Sequence, residues 1–341
     1  MPINNDQATD HIAPSTDIDA YLNSLRYLRR LSALTVSNYA RDLAELAVFC
    51  RALSNQNDAS RGFASVTHAN IRKFAAQLHS RGLGPRSIAR KLSAWRGFFD
   101  WLGEKVVVSS NPVDGLKAPK RGKPLPKALG ADDAIRLVAS PNPLQEDGTT
   151  MAACNHAMFE LLYSSGLRVS ELAGIDVRYT KKDGYVSAGW IDFDAGEVTV
   201  TGKGDRRRSV PVGQPALNAI VEWLSLRNTL VKADEPTQAS QGNAFALFLT
   251  ERGTRVSPRV VQLRLKAHAR ALDIPTDVHP HVLRHSFASH VLQGSGDLRA
   301  VQEMLGHTSI SSTQVYTSLD FQRLAQVYDA AHPRAKKLPN K

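Results

Sequence analysis

Cysteine is almost absent. Cys50 and Cys154 are the only two in 341 residues, so neither a disulfide framework nor an all-cysteine metal site can be built, and a reducing compartment is expected. Long apolar runs are missing as well: none approaches the ~18 residues that a membrane helix needs. The opening residues, MPINNDQATDHIAPSTDID, lack the basic stretch and apolar core of a secretory signal. A cytoplasmic protein without membrane contact is the expectation. Acidic residues are in deficit too, 32 against 43 lysines and arginines, which leaves a formal net charge of +11. That excess favours a polyanionic partner, most often nucleic acid.

Hydrophobic residues make up 42% of the chain, enough to bury real cores, and at about 150 residues per domain the length points to two domains. Residues 1–16 are polar and read as a flexible N-terminus. From Asp17 apolar residues recur at helical spacing: Ile18, Leu22, Leu25 and Leu28. Three more helical stretches follow: one from about Thr35, one capped by Thr67 (Ile71, Phe74, Leu78) and one capped by Ser87 (Ile88, Leu92, Trp95, Phe98, Leu102). Residues 17–110 therefore read as an all-helical domain. Residues 111–130, NPVDGLKAPKRGKPLPKALG, set four prolines among Lys117, Lys120, Arg121, Lys123 and Lys127. Proline at that density prevents a helix and stiffens an extended linker. Its charge fits either a solvated hinge or a strap along phosphates.

Residues 131–320 form the second domain, and residues 321–341 a tail. Helices are expected at 131–140, 152–164, 217–230, 257–272, 282–293, 298–305 and 311–319. The period changes at 190–193, 197–201 and 208–212, where alternation and the turns Asp194-Ala195-Gly196 and Gly202-Lys203-Gly204-Asp205 predict a small antiparallel sheet. The fold class is thus mainly α with a small antiparallel β-sheet.

Several basic residues fall at helix ends and turns, where side chains can converge on a ligand. Arg168 follows Gly166-Leu167, which reads as a left-handed helix end. It could fork onto a phosphate or simply pair with Glu171. Lys203 sits at a hairpin tip beside Arg206, Arg207 and Arg208, a run that fits either a charged edge strand or a DNA-facing hairpin. In HPHVLRHSFASH, Leu283, Phe287 and Val291 form a core stripe, whereas His281 and His285 lie one turn apart with Arg284 beside them. The His pair could bind zinc, but no H-E-x-x-H pattern or further ligand accompanies it, so no metal site is assigned. Gly306 ends a helix just before His307, and Ser311-Ser312-Thr313-Gln314 makes a capping box ahead of Tyr316.

As a set, SSGLRVSEL around Arg168, TGKGDRRR around Lys203, HPHVLRHSFASH around His281 and Arg284, and LGHTSISSTQVYTSLDF around His307 and Tyr316 resemble the motifs of the tyrosine site-specific recombinases, the phage integrase family. The resemblance covers nearly the whole chain, and all six catalytic positions carry the family's residue types. It implies a SAM-like helical core-binding domain at 17–110 and a catalytic domain at 131–320. It also implies a tail helix that contacts a neighbouring protomer, double-stranded DNA as substrate and no cofactor. Within the family the chain is most similar to the Xer recombinases. Leu319-Asp320-Phe321, continuing to VYDAAHPRAKK, resembles one of the two partner branches, the other being the XerD-like one. That implies a heterotetramer with a XerD-like recombinase, a dif-like site, resolution of chromosome dimers and a DNA translocase of the FtsK type. One departure stands out: residues 178–189, RYTKKDGYVSAG, look like an insertion ahead of the sheet.

The chemistry that the resemblance implies suits these residues. Tyr316 attacks the scissile phosphate and keeps the bond energy in a 3′-phosphotyrosyl link. Arg168 and Arg284 clamp the non-bridging oxygens, with a hydrogen bond from His307. Lys203 protonates the leaving 5′-oxygen, and His281 assists proton transfer at the tyrosine. A phage or mobile-element integrase, a catalytically silent DNA-binding protein of the same fold and a type IB topoisomerase are the alternatives. The silent protein leaves the full set of active-site residues unexplained, and formation of Holliday junctions would exclude the topoisomerase.

Overall fold

The computed structural model describes residues 14–53, 62–105, 110–119, 128–141, 149–202, 206–231, 241–274, 277–306 and 318–335. Lys203, His307, Tyr316, Lys120, Arg121, Lys123, Lys127 and residues 311–317 of the helix expected at 311–319 lie outside them. The chain divides into two compact units between Lys123 and Pro124. No helix among the described residues is long and apolar enough to cross a membrane.

In the first unit, helices α1 (Pro14–Tyr27), α2 (Ala33–Leu53), α3 (His68–Ser80) and α4 (Pro85–Gly103) turn their apolar stripes inward. Tyr21, Leu43, Phe74, Trp95 and Phe98 are buried at the centre, and Phe49 stacks on Phe74 with ring centroids 4.7 Å apart. Trp95 donates its indole N–H to the Asp42 carbonyl at 2.8 Å, and the buried Asp42 carboxylate pairs with Lys91 at 3.0 Å and with Arg90. Thr67 caps α3 in a reciprocal pair with Asn70. Ser87 does not cap α4: Gly84 is the cap and Pro85 the first helical residue, because proline has no N–H to lose there. The expected linker is not extended from its start. Asn111 Nδ2 donates to the Arg96 carbonyl, Arg96 donates to the carbonyls of Val113 and Leu116, and Val113 is fully buried. Lys117 is exposed.

The second unit is built around α6 (Thr150–Ser165), nearly every residue of which from Ala153 onward is buried. Helices α5 (Ala131–Ala139), α7 (Val169–Ala173), α8 (Gln214–Arg227), α9 (Gln241–Phe245), α10 (Pro258–Ala271), α11 (Pro280–Ser295), α12 (Leu298–Leu305) and α13 (Ser318–Ala331) complete its helical part. The strands are β1 (Ile175–Asp176), β2 (Lys181–Lys182), β3 (Tyr185–Val186), β4 (Gly189–Asp192), β5 (Glu197–Thr201) and β6 (Arg207–Pro211). The main sheet has the order β1-β4-β5-β6. Three of its strands are antiparallel, as expected, but β1 adds in parallel to β4, so the sheet is mixed. Parallel strands need a crossover, and here residues 178–189 provide it as the hairpin β2–β3. Its turn is Asp183-Gly184, with φ of 49° and 80°, the positive angles that a two-residue type I′ turn requires.

The tail helix α13 lies against its own domain. Leu324 and Tyr328 are buried, and Tyr328 shares a 2.8 Å hydrogen bond with Ser164. Gly213 and Gly294 make the seat: a Cβ on Gly294 would fall 2.7 Å from the Ala331 Cα, and one on Gly213 would fall 2.8 Å from the Tyr328 hydroxyl. Beyond the helix, Arg334 pairs with the buried Glu160. The tail helix that the resemblance assigns to a neighbouring protomer thus buries Leu324 and Tyr328 within its own chain.

Candidate active site

Two helices end side by side in left-handed glycines, α6 at Gly166 (φ 55°) and α12 at Gly306 (φ 64°). A helix end leaves its last carbonyls without intrahelical partners and carries partial negative charge, so cations gather there. Three arginines do so. Arg284, in the second turn of α11, donates to the carbonyls of Gly166 and Leu305, both at 2.6 Å. Arg208 donates from Nε to the Met304 carbonyl at 2.8 Å. Arg168 reaches the Gly306 carbonyl from Nη2 at 3.2 Å.

A single carboxylate joins two of them. Glu171 in α7 accepts both Nη groups of Arg208, each at 2.8 Å, and the Nη1 and backbone N–H of Arg168 at 2.7 and 2.8 Å. Burial opposes its ionisation, but Arg208 and then Arg168 more than offset that and hold its carboxyl down at about 2. Burial also pushes the Arg284 guanidinium down from its ordinary value, to about 10, with the charges of Arg168 and Arg208 adding to it and Glu171 opposing. At neutral pH the cluster thus holds three guanidiniums against one carboxylate. That surplus, in a partly desolvated place with fixed donors, is what an oxyanion with growing negative charge needs. The side chain of Arg168 keeps 35% of its surface open to solvent, so an incoming anion can reach it.

Local packing sets these positions. Phe287 lies flat against the Gly166 turn: a Cβ on Gly166 would fall 2.8 and 2.9 Å from the ring carbons Cγ and Cε1. The core stripe of α11 thereby holds Arg284 one turn away, against the α6 terminus. Arg168 occupies the cap position of α7 with an extended backbone (φ −70°, ψ 146°).

The structure brings Arg168 and Arg284 together. His281 sits exposed in the first turn of α11, its ring 6.2 Å from that of His279. Among the described residues no cluster of three or more His, Cys, Asp or Glu could hold a metal. Of the basic run, Arg206 and Arg207 are exposed, but the expectation that Arg208 faces DNA is corrected. Arg208 is 5% exposed, because the period of the strand places it on the face of Val198, Val200 and Val210 while Arg207 takes the other face. Its role is to hold Glu171. Sequence reasoning missed this organising pair. The signal was available: Arg208 alternates with Val210, and Glu171 stands three residues after Arg168, the reach of a helix-capping carboxylate.

The phage integrase family profile matches residues 127–323, and its N-terminal SAM-like domain profile matches residues 18–105. The chain is 51% identical over 327 residues to the tyrosine recombinase XerC of Ralstonia pickettii (strain 12J), covering 95% of this chain and 96% of that one. To XerC of Escherichia coli O157:H7 (strain EC4115 / EHEC) it is 42% identical, covering 94% and 98%. XerC is the branch that the ending of the chain resembles. Among solved structures, the Tn1549 transposon integrase in complex with circular-intermediate DNA superposes with a TM-score of 0.59 at 18% identity, over 91% of this chain and 98% of that one. The XerH recombinase bound to its difH substrate gives 0.58 at 19%, over 93% and 82%. At such identities these likenesses speak for the fold alone.

Proposed function

This chain belongs to the phage integrase family as a site-specific recombinase that cuts and rejoins DNA, and from that premise we propose that Tyr316 is its nucleophile. It attacks the scissile phosphate, forms a 3′-phosphotyrosyl link and frees a 5′-hydroxyl, which then attacks the partner strand's intermediate in the reverse reaction. Arg168 and Arg284 hold the non-bridging oxygens of the phosphate, and His307 adds a hydrogen bond. Lys203 gives a proton to the leaving 5′-oxygen, and His281 assists at the tyrosine. Fixed cations do the work that a metal would do elsewhere. The observation that carries this reading is the arginine cluster at two adjoining helix ends, Arg168 and Arg208 on Glu171 and Arg284 on the carbonyls of Gly166 and Leu305, with Arg168 open to solvent.

The likeness to XerC relatives supports a finer reading, in which the protein acts with a XerD-like recombinase in a heterotetramer at a dif-like site. There it resolves chromosome dimers before cell division under an FtsK-type translocase, in the cytoplasm. Lys117, Lys120, Arg121, Lys123, Lys127, Arg206 and Arg207 contact the DNA backbone, and in the assembly the tail helix exchanges between protomers. A nicked suicide substrate carrying the host's candidate site tests the core of this. The protein should form a covalent adduct and Tyr316→Phe none, with binding nearly unchanged. An adduct retained by that variant would refute the assignment, and dependence of full recombination on the XerD-like partner tests the finer part.

A further inference from the structure

The outer face of the sheet sorts its charges by position along the strands. At one end Asp192, Asp194 and Glu197 gather around the β4–β5 turn. At the other end Thr201 pairs with Arg207, the Gly202 N–H closes on the Arg206 carbonyl, and the hairpin β2–β3 leads into β4. That end carries Arg178, Lys181, Lys182, Arg206 and Arg207, all exposed, against Asp183 alone among the described residues. Lys182 lies 4.0 Å from Asp183, whereas neither Arg178 nor Lys181 has an ion-pair partner among the described residues. It is also the end of the sheet from which Arg208 reaches the anion site.

The hairpin is rigidly mounted, yet it adds little core. Tyr185 donates to the buried Asp176 carboxylate at 2.8 Å, and Arg255 bonds the same carboxylate at 2.5 Å and the Tyr185 hydroxyl at 2.9 Å. The Arg207 guanidinium lies over both Tyr179 and Trp190, 6.0 and 5.6 Å from the ring centroids, which ties the hairpin to the start of β6. Val186, the apolar residue opposite Lys181, is itself exposed. A stiff scaffold that holds like charges together and buries little is poorly explained by stability. It is well explained by a polyanion whose charges repeat along a line.

We propose that the hairpin of residues 178–189 is a second contact to the DNA backbone, in which Arg178, Lys181 and Lys182 grip phosphates beside the one being cut, with Arg207, held on Tyr179 and Trp190, next to them. The proposal rests on the recombinase reading above and extends it to Arg178, Lys181 and Lys182, which that reading leaves unused.

The test is equilibrium binding of a duplex carrying the host's candidate site, followed by fluorescence anisotropy over a range of KCl concentrations. It compares the full chain with Lys181→Ala/Lys182→Ala and with the triple variant that adds Arg178→Ala. All three residues are exposed, so unfolding midpoints should match. Each lost phosphate contact should lower the slope of log K against log salt by about 0.9, so the double variant falls by roughly 2 and the triple by nearly 3. Affinity at fixed salt should fall tenfold or more. Phosphate ethylation should pick out backbone positions that matter to the unaltered chain and not to the triple variant. Equal slopes for the three proteins overturn this proposal and leave the recombinase reading standing. Failure of the unaltered chain to bind the duplex overturns both. Normal DNA binding with loss only of co-assembly with the partner recombinase would place the hairpin at a protein contact, which also overturns it.

Discussion

Replacing Glu171 by Gln tests whether one carboxylate holds the arginine cluster together. The depression of its carboxyl from 4.5 to about 2, at about 1.36 kcal/mol per unit, corresponds to about 3 kcal/mol favouring the ionised folded form, net of burial. The sign follows from linkage: a carboxyl whose folded value is lowered contributes stability fully above pH 4.5 and loses it as the pH falls through 4.5 toward 2. Glu171→Gln should therefore cost about 3 kcal/mol at pH 7. For a domain of this size that lowers the melting temperature by roughly 6–12 °C. At pH 3 the gap should narrow to about 1.5 kcal/mol, since the carboxyl of the unfolded chain is by then protonated while the folded one, held down at about 2, is still mostly ionised. Calorimetry on both proteins at the two pH values measures the gap directly. A gap below 1 kcal/mol at pH 7, or one that does not shrink at pH 3, would refute the reasoning. Adduct formation should fall as well, because Arg168 and Arg208 lose their common anchor.

Three further outcomes are expected. Gly166→Ala forces a Cβ into the Phe287 ring at a left-handed backbone position and should cost about 2–4 kcal/mol, read as a shift in denaturant midpoint together with loss of cleavage. His332, buried and stacked on Tyr328, is pushed by burial first, and then by His290, to about 3. A histidine with a lowered folded value supplies stability above its unfolded value of 6.5 that is lost as the pH falls from there toward 3. Stability should thus drop by about 2 kcal/mol between pH 7 and pH 5, and His332→Phe should flatten that dependence. Arg284→Lys should reduce strand cleavage by orders of magnitude, because an ammonium cannot bond the carbonyls of Gly166 and Leu305 and still present a planar fork. Near-normal cleavage in the suicide-substrate assay would show that Arg284 serves the fold alone.

Much of the helical architecture was legible because apolar spacing sets which face is buried, and Thr67 and Gly306 mark boundaries by the same rules in any helix. What escaped depends on partners distant in sequence. Strand β1 is two residues long and has too little period to be seen before β4 lies beside it. The hairpin in the insertion carries one local signal, Asp183-Gly184, but its short strands, Lys181–Lys182 and Tyr185–Val186, have too little apolar alternation to mark them as paired. Arg208 was read by its charge when its strand face was the deciding fact. The motif residues Arg168 and Arg284 could be picked out by type and place, but their grip on the carbonyls of Gly166, Leu305 and Gly306 could not. Those contacts join segments 118, 21 and 138 residues apart.

The glycine seat under α13 has a consequence for assembly. A helix tethered to its own groove by the short segment from Gly306 to Thr317 competes there at an effective concentration on the order of millimolar. A second copy of the chain diffusing freely at micromolar levels cannot displace it, so isolated molecules keep their tails at home. Were copies held next to one another on a single DNA site, as in the proposed assembly, each tail would meet a neighbour's groove at a comparable effective concentration, and the difference between keeping a tail and trading it would shrink to nearly nothing. The DNA would then act as a concentrator, making exchange a property of neighbours that are already in place.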